Sequence, residues 1–199
     1  LVIMIEKKIK IGVSGDAGSF SEEAGHLYID SEGLEAELVY AIDMERVLTL
    51  LENNEIDIGI FPVVNSQGGL VREAFTAMGR HNFTLMDELW LEVQQCLLVL
   101  SGQKREEIKN IATHPQAVSQ CQRYLKREFP EAKIIDWPDT AKAARDLKAG
   151  LLPDRTAVIA PARAAGLYGL EILERNIQDM RPNLTTFIIV KFLKKFYNI

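Results

Sequence analysis

Cysteine is nearly absent, with two in 199 residues. Two thiols are too few for a disulfide framework or a zinc cluster. A reduced, cytoplasmic setting is the default expectation for such a chain. Histidine is almost as scarce, at three, and no two stand at the spacing of a metal-ligating pair. Long apolar runs are also missing. The longest, such as 1–5 and 96–100, span about five residues, where a spanning helix needs about 20. Residues 1–5 are too short for a signal-peptide core, and Glu6, Lys7 and Lys8 follow directly. Excess positive charge is lacking: 23 Lys and Arg against 28 Asp and Glu leave a net −5. That balance argues against nucleic acid as a partner. There is no phosphate-binding P-loop, no Gly-x-Ser-x-Gly elbow and no Cys-x-x-Cys. Metal chemistry, a covalent serine and a bound cofactor are therefore not expected.

What is present is an ordinary folded composition. A hydrophobic share of 47% with 26% charged residues excludes wholesale disorder. The length suits one large domain or two small lobes. Periodicity predicts strands at 8–13, 37–40 and 56–61, the last stopped by Pro62, alternating with helices at 20–29, 43–53 and 71–79. The plan then repeats. Strands are expected at 108–112, 133–137 and 155–160, and helices at 116–129, 140–149 and 161–168. The offset between the halves is close to 100 residues. Alternating β and α elements of this kind predict an α/β fold, here as two similar lobes. Residues 83–100 form a β-rich stretch without Gly or Pro, and 185–192 form another. These would be the two crossings of a hinged protein. Lobe 1 would comprise 1–98 plus 185–199, and lobe 2 would comprise 99–184. The tail from 191 is basic and aromatic, and reads equally as a last strand, a link to a further domain or a frayed end.

Four loops at strand ends face the edge where α/β sheets bind ligands. Residues 15–22 carry two glycines, and Ser19 and Glu22 stand at capping-box spacing. Such a helix start can hold an anion or can be an ordinary capped turn. Residues 62–69 place Asn65, Ser66 and Gln67 after an apolar strand, as ligand groups or as a solvated turn. Thr113, His114, Pro115 and Gln116 open a helix on which Gln120 shares a face with Gln116. Here His114 is also a candidate cap. Residues 183–187 lead into the last strand, where two threonines can equally reflect β-propensity. His26 and His81 have no partner spacing and read as structural or surface residues.

Taken together, in this order and spacing, these segments resemble the catalytic domain of prephenate dehydratase. The family's Gly-x-x-Gly-Thr-Phe-Ser-Glu turn corresponds to 15–22, with Ser19 for the threonine. Its Pro-Ile-Glu-Asn-Ser segment corresponds to 62–66, with Val64 for the glutamate. Its Ser/Thr-His-Pro-Gln segment is 113–116, followed by Gln120 and Cys121. The late Ala-x-x-Tyr-Gly-Leu and Asn-Ile-Gln-Asp runs appear at 165–170 and 176–179. Thr185 matches the threonine of its Thr-Arg-Phe motif, with Thr186 in the arginine's place.

The resemblance implies a two-lobed fold like that of type II periplasmic binding proteins, with prephenate in a hinged cleft. It implies a carbon–oxygen lyase reaction of phenylalanine biosynthesis, in which prephenate loses carbon dioxide and water to give phenylpyruvate. Thr185 would supply the proton to the departing hydroxyl. Gly18, Ser19, Phe20, Ser21, Asn65, Ser66, Thr113, His114, Gln120 and Phe187 would surround the substrate, with no metal and no cofactor. The implied assembly is a homodimer or tetramer, with neither nucleic acid nor membrane as partner. The family's C-terminal ACT domain, which binds phenylalanine, is more than the residues after 190 can supply. Val64 and Thr186 leave two alternatives beside the dehydratase: a non-aromatising prephenate decarboxylase and a non-catalytic anion-binding homologue.

Overall fold

The computed structural model of the chain describes residues 8–193. The expectation for the tail therefore lies, from residue 194 on, outside the described residues. In the first lobe β1 (Ile9–Ser14), β2 (Ala36–Ala41) and β3 (Ile58–Asn65) alternate with α1 (Phe20–Glu32), α2 (Met44–Glu52) and α3 (Arg72–Met78). A short β4 (Gly69–Leu70) folds back on the end of β3, and β5 (Phe83–Glu92) leads to the crossing. The second lobe holds β6 (Cys96–Val99), β7 (Asn110–Thr113), β8 (Lys133–Asp136), β9 (Thr156–Ala160) and β10 (Glu171–Glu174). Its helices are α4 (Pro115–Gln120), α5 (Gln122–Glu128), α6 (Thr140–Lys148) and α7 (Ala162–Tyr168). The last described strand, β11 (Leu184–Phe192), returns to the first lobe.

The two sheets have one topology. The first runs β2-β1-β3-β11-β5, and the second, read from its far edge, runs β8-β7-β9-β6-β10. In each, the first three strands pair in parallel and the next two pairings are antiparallel, so that only the fourth strand runs against the others. In each, the first antiparallel strand is one that has just crossed over: β11 for the first sheet, β6 for the second. The expected division after residue 98 falls inside β6, all of which belongs to the second sheet.

Both sheets are covered on both faces. One face of the first packs Val47, Leu48 and Leu51 of α2 with Ala74 and Ala77 of α3, and the other packs Ile11, Ile60 and Ile189 beneath Ala24 of α1. The second sheet buries Val158 and Ala160 against α6 and α7, and Ile111 and Ile159 against α4 and α5. Fully burying one such aliphatic side chain contributes about 1.5–3 kcal/mol, so these layers hold the loops at the strand ends in place.

Three departures from the sequence reading have physical causes. First, β3 does not stop at Pro62 but continues to Asn65. The register against β11 shifts there, with Thr186 opposite Val64 and Phe187 opposite Pro62. An irregularity of this kind is where a strand tolerates a residue with no N–H. Second, the β-rich stretch 83–100 is two strands in different sheets, separated at 93–95. Third, the helix expected at 116–129 breaks at Cys121. The Asp179 carboxylate accepts from the amides of Arg123 (2.7 Å) and Tyr124 (3.0 Å), and the Asp179 amide donates to the Gln120 carbonyl (2.7 Å). A side chain from another loop thus caps the second helical segment from outside. Strands β4 and β10 were not foreseen in the sequence pattern.

Candidate active site

A cleft of about 370 Å³ lies between the lobes, walled by residues of both. From the first lobe come Ser14, Ser19, Phe20, Ser21, Asn65, Thr185 and Phe187, and from the second His114, Gln116, Gln120 and Asp139. Gln95, on the crossing, completes one wall. The first-lobe turn also touches the second lobe directly. The Tyr168 hydroxyl donates to the Ala17 carbonyl (2.7 Å), Arg163 Nε donates to Glu22 Oε2 (2.6 Å), and Arg145 pairs with Asp16 (2.9 Å). Gly18 packs so closely on α7 that an added Cβ would stand 3.2 Å from the Ala164 Cα.

The start of α1 is built as the sequence suggested, with one change. Ser19 Oγ accepts from the Glu22 amide (3.2 Å). The Glu22 carboxylate, however, accepts from the Gly18 amide (2.8 Å), from the Tyr40 hydroxyl and from Arg163 rather than closing a capping box. Burial works against its charge, but these three donors hold the Glu22 carboxyl below its ordinary range. Tyr40 is driven the other way, to about 12, by burial and by the Glu22 carboxylate. The first two residues of α1, Phe20 and Ser21, have amides without intrahelical acceptors by helix geometry. Both residues line the cleft, and the positive end of the helix favours an anion there. The helices α2 and α6 offer less. Their N-termini are capped by Asp43, accepting from the Arg46 amide, and Asp139, accepting from the Lys142 amide, at 2.8 Å each. Burial pushes the Asp139 carboxyl up, and amide hydrogen bonds from Lys142 and Ala141 draw it partly back.

The centre of the cleft is a network of amide side chains, and its orientation follows from one anchor. Asn65 Oδ1 accepts from the backbone amides of Gln67 (2.9 Å) and Gly68 (2.7 Å), which can only donate. Asn65 Nδ2 must therefore be the end that meets Asn183 Oδ1 (2.8 Å) and Thr185 Oγ1 (2.9 Å). Asn183 then turns its Nδ2 to Gln120 Oε1 (3.1 Å), which also accepts from Gln95 Nε2 (3.0 Å). The decisive bond is the one to Thr185. Its oxygen already accepts a hydrogen, so its own O–H is left to donate toward the cleft.

Of the residues expected around a substrate, Ser19, Phe20, Ser21, Asn65, His114, Gln120, Thr185 and Phe187 are gathered on the cleft wall. Three lie off it. Gly18 donates its amide to Glu22, and Thr113, fully buried, donates its hydroxyl to the Ile159 carbonyl (2.8 Å). The Ser66 hydroxyl accepts from the Leu184 amide (3.0 Å), tying the turn after β3 to the start of β11. His114 also serves as a cap, its Nδ1 accepting from the Gln116 amide (3.2 Å). His81 sits between Glu45 and Glu52 and does not line the cleft. Val64 and Thr186, the two departures from the family pattern, do not line the cleft. They face each other across β3 and β11. The glutamate and arginine that the resemblance places there would be cross-strand neighbours, close enough to pair as ions, where this chain has one Val–Thr pair. Strand alternation puts Thr185 and Phe187 on the cleft side and Thr186 on the other.

Sequence reasoning missed Gln95, Gln116, Asp43 and Asp139 as wall residues. Asp43 and Asp139 carried a signal: they stand at equivalent places in the two lobes, each the N-cap of the helix that follows an edge strand, β2 or β8. Gln94 and Gln95 were also visible as an amide pair inside an apolar run.

Two lobes with mixed sheets of one topology, each completed by a strand from a crossing, with a threonine hydroxyl and a helix start facing the cleft between them, define a two-lobed α/β fold with a polar cleft. Comparison with known proteins narrows the class. The family described as "Prephenate dehydratase" matches residues 11–195. The chain is 34% identical to "Arogenate dehydratase 5, chloroplastic" of Arabidopsis thaliana, over 92% of this chain and 42% of that one. It is 31% identical to a "Bifunctional chorismate mutase/prephenate dehydratase" of Buchnera aphidicola, over 88% and 45%. The solved prephenate dehydratase of Arthrobacter aurescens in complex with L-Phe superposes with a TM-score of 0.82 at 25% identity, covering 94% of this chain and 61% of that one. A nutrient-binding protein of Burkholderia cenocepacia shares the fold at a TM-score of 0.54 and 14% identity, over 92% and 84%. The chain therefore belongs to the prephenate dehydratase family and spans its catalytic domain. It covers less than half the length of these curated relatives. No helix among the described residues is long and apolar enough to cross a membrane.

Proposed function

We propose that the cleft catalyses decarboxylating dehydration of a cyclohexadienol carrying a ring carboxylate, the chemistry common to prephenate and arogenate. Prephenate would yield phenylpyruvate, and arogenate, its amino counterpart, would yield phenylalanine. The observation that carries this reading is the Asn65–Thr185 hydrogen bond. With its oxygen engaged by an amide donor, Thr185 presents its proton to the leaving hydroxyl. The ring–carboxylate bond breaks, its electron pair enters the ring, and the carbon–oxygen bond opposite releases hydroxide. Thr185 Oγ1 shares its proton with that oxygen as it leaves as water, and the Asn65 amide stabilises the charge developing on the threonine. Solvent restores the proton. Aromatisation supplies the driving force, so a weak acid and good positioning suffice. The amides of Phe20 and Ser21 would receive a substrate carboxylate, and Phe187, which lines the cleft and is almost fully buried, offers an aromatic surface to the ring. We also propose a homo-oligomer, in keeping with the resemblance.

The test is incubation of the purified protein with each substrate, followed by ultraviolet detection of the aromatic product. Release of carbon dioxide with a non-aromatic product would replace this reading by the decarboxylase. Binding without turnover would replace it by the anion-binding homologue.

A further inference from the structure

The amide network has two loose ends: Gln95 Oε1, on the cleft wall, and Gln178 Nε2, which lies off that wall while its Oε1 accepts from the Gln95 backbone amide (3.1 Å). Gln95 is 3% exposed and lines the cleft. Its Nε2 is committed to Gln120 Oε1, because Gln120 Oε1 is fixed as an acceptor by Asn183. Its Oε1 is buried and has no hydrogen-bond partner among the described residues. The chain of donors running back to the Gln67 and Gly68 amides forbids a flip, since a reversed Gln95 would set oxygen against oxygen. A buried carbonyl without a partner is costly unless a ligand supplies a donor.

The walls say which donor. They hold the carboxyl groups of Asp43, Glu73 and Asp139 and no lysine or arginine. The nearby cations Arg145 and Arg163 are paired with Asp16 and Glu22. A 2-oxo acid side chain brings only acceptors, so it would meet the Gln95 carbonyl with another oxygen and add a full dianion to an acidic cleft. An amino acid side chain brings an ammonium, which supplies the missing donor and lowers the net negative charge. We propose that Gln95 makes this site selective for the amino form of the substrate, its Oε1 accepting a hydrogen bond from the α-ammonium group. This rests on the dehydratase reading above.

The experiment compares kcat/KM for arogenate and prephenate in the wild type and in Gln95→Met. Methionine keeps the length of glutamine, and Gln120 Oε1 retains its bond from Asn183. A hydrogen bond to a charged group at this site corresponds to about a 10- to 100-fold preference. The wild type is expected to favour arogenate by that factor, and in Gln95→Met the ratio of the two kcat/KM values is expected to fall toward one, whatever loss the two substrates share. A wild type that favours prephenate, or a variant that slows equally on both, overturns the proposal. Calorimetric binding of phenylalanine and phenylpyruvate to the wild type decides independently of turnover or of the variant's folding. Tighter phenylalanine binding supports the proposal, and equal or reversed affinity overturns it. Failure of turnover on both substrates counts against the dehydratase reading, while the binding comparison still judges Gln95.

Discussion

Replacing Thr185 by valine separates the proton donation proposed for its hydroxyl from the fold around it. Valine keeps the shape of threonine and suits a strand. The structural loss is small. Asn65 Nδ2 gives up one acceptor but keeps Asn183 Oδ1 (2.8 Å) and the Leu184 carbonyl (3.3 Å), so no buried donor is orphaned. Loss of one net hydrogen bond costs about 0.5–1.5 kcal/mol of stability. The catalytic loss is larger, since removing a general acid costs about 10²–10⁴-fold, or about 2.7–5.4 kcal/mol at 1.36 kcal/mol per tenfold. Because proton donation is made only in the transition state, kcat and kcat/KM should fall together while KM stays near the wild-type value. Thr185→Ser, which keeps the hydroxyl, should retain most of the turnover. Urea unfolding and absorbance assays of aromatic product measure the two losses side by side. A folded Thr185→Val protein that turns over within about threefold of the wild type would refute the role of its hydroxyl as proton donor.

Three further outcomes are expected. Glu45 and Glu52 each take a nitrogen of His81 at 2.9 Å, and although burial disfavours the cation, these carboxylates raise the His81 pKa above its ordinary 6.5. The raised value means that stabilisation is complete below the unfolded pKa and lost as pH rises through the folded one. The gap in urea midpoint between wild type and His81→Gln should thus be largest near about pH 5.5 and narrow above neutrality, and a pH-independent gap would discount the clamp. Gly18→Ala would place a Cβ 3.2 Å from the Ala164 Cα at a φ of +85°. It should cost about 1–2 kcal/mol and raise KM by loosening the contact between lobes, which an unchanged midpoint and KM would contradict. Val64→Glu and Thr186→Arg should each destabilise alone and recover about 0.2–1 kcal/mol together, with kcat unchanged; a rise in kcat from Thr186→Arg alone would mean that this position reaches the substrate after all.

The repeat of strand and helix was legible because buried parallel strands such as β3 and β9 are short apolar runs between amphipathic helices. The joints were not. Whether residues 83–100 form one strand or two depends on which sheet each half pairs with, and no local propensity records that choice. The break at Cys121 depends on Asp179, far away in sequence. Likewise Pro62 signals a strand end unless an irregular register opposite it removes the need for its N–H. Most of the residues named from the motifs line the cleft, yet Ser66 and Thr113 are hydroxyls of a kind that could equally have faced a ligand. Only the positions of the Leu184 amide and the Ile159 carbonyl assign them to the framework. Gln95 was visible only as one of an amide pair, because the unbonded Oε1 depends on how Asn183 and Gln120 are oriented.

The place of β11 between β3 and β5 bears on how the polypeptide leaves the ribosome. The second lobe is one uninterrupted stretch from β6 to β10 and can form its sheet as soon as it emerges. The first lobe cannot. Among the described residues β5 pairs with β11 alone, so it waits without a partner through the synthesis of the whole second lobe. Meanwhile its Leu85, Met86 and Trp90, exposed even in the finished fold, stand beside an open row of backbone donors and acceptors. That interval is the moment of greatest risk for strand-to-strand association between nascent chains. It ends only when the strand that also carries Thr185 slots into the gap, so the first sheet and the cleft wall that holds Thr185 are completed by the same late event.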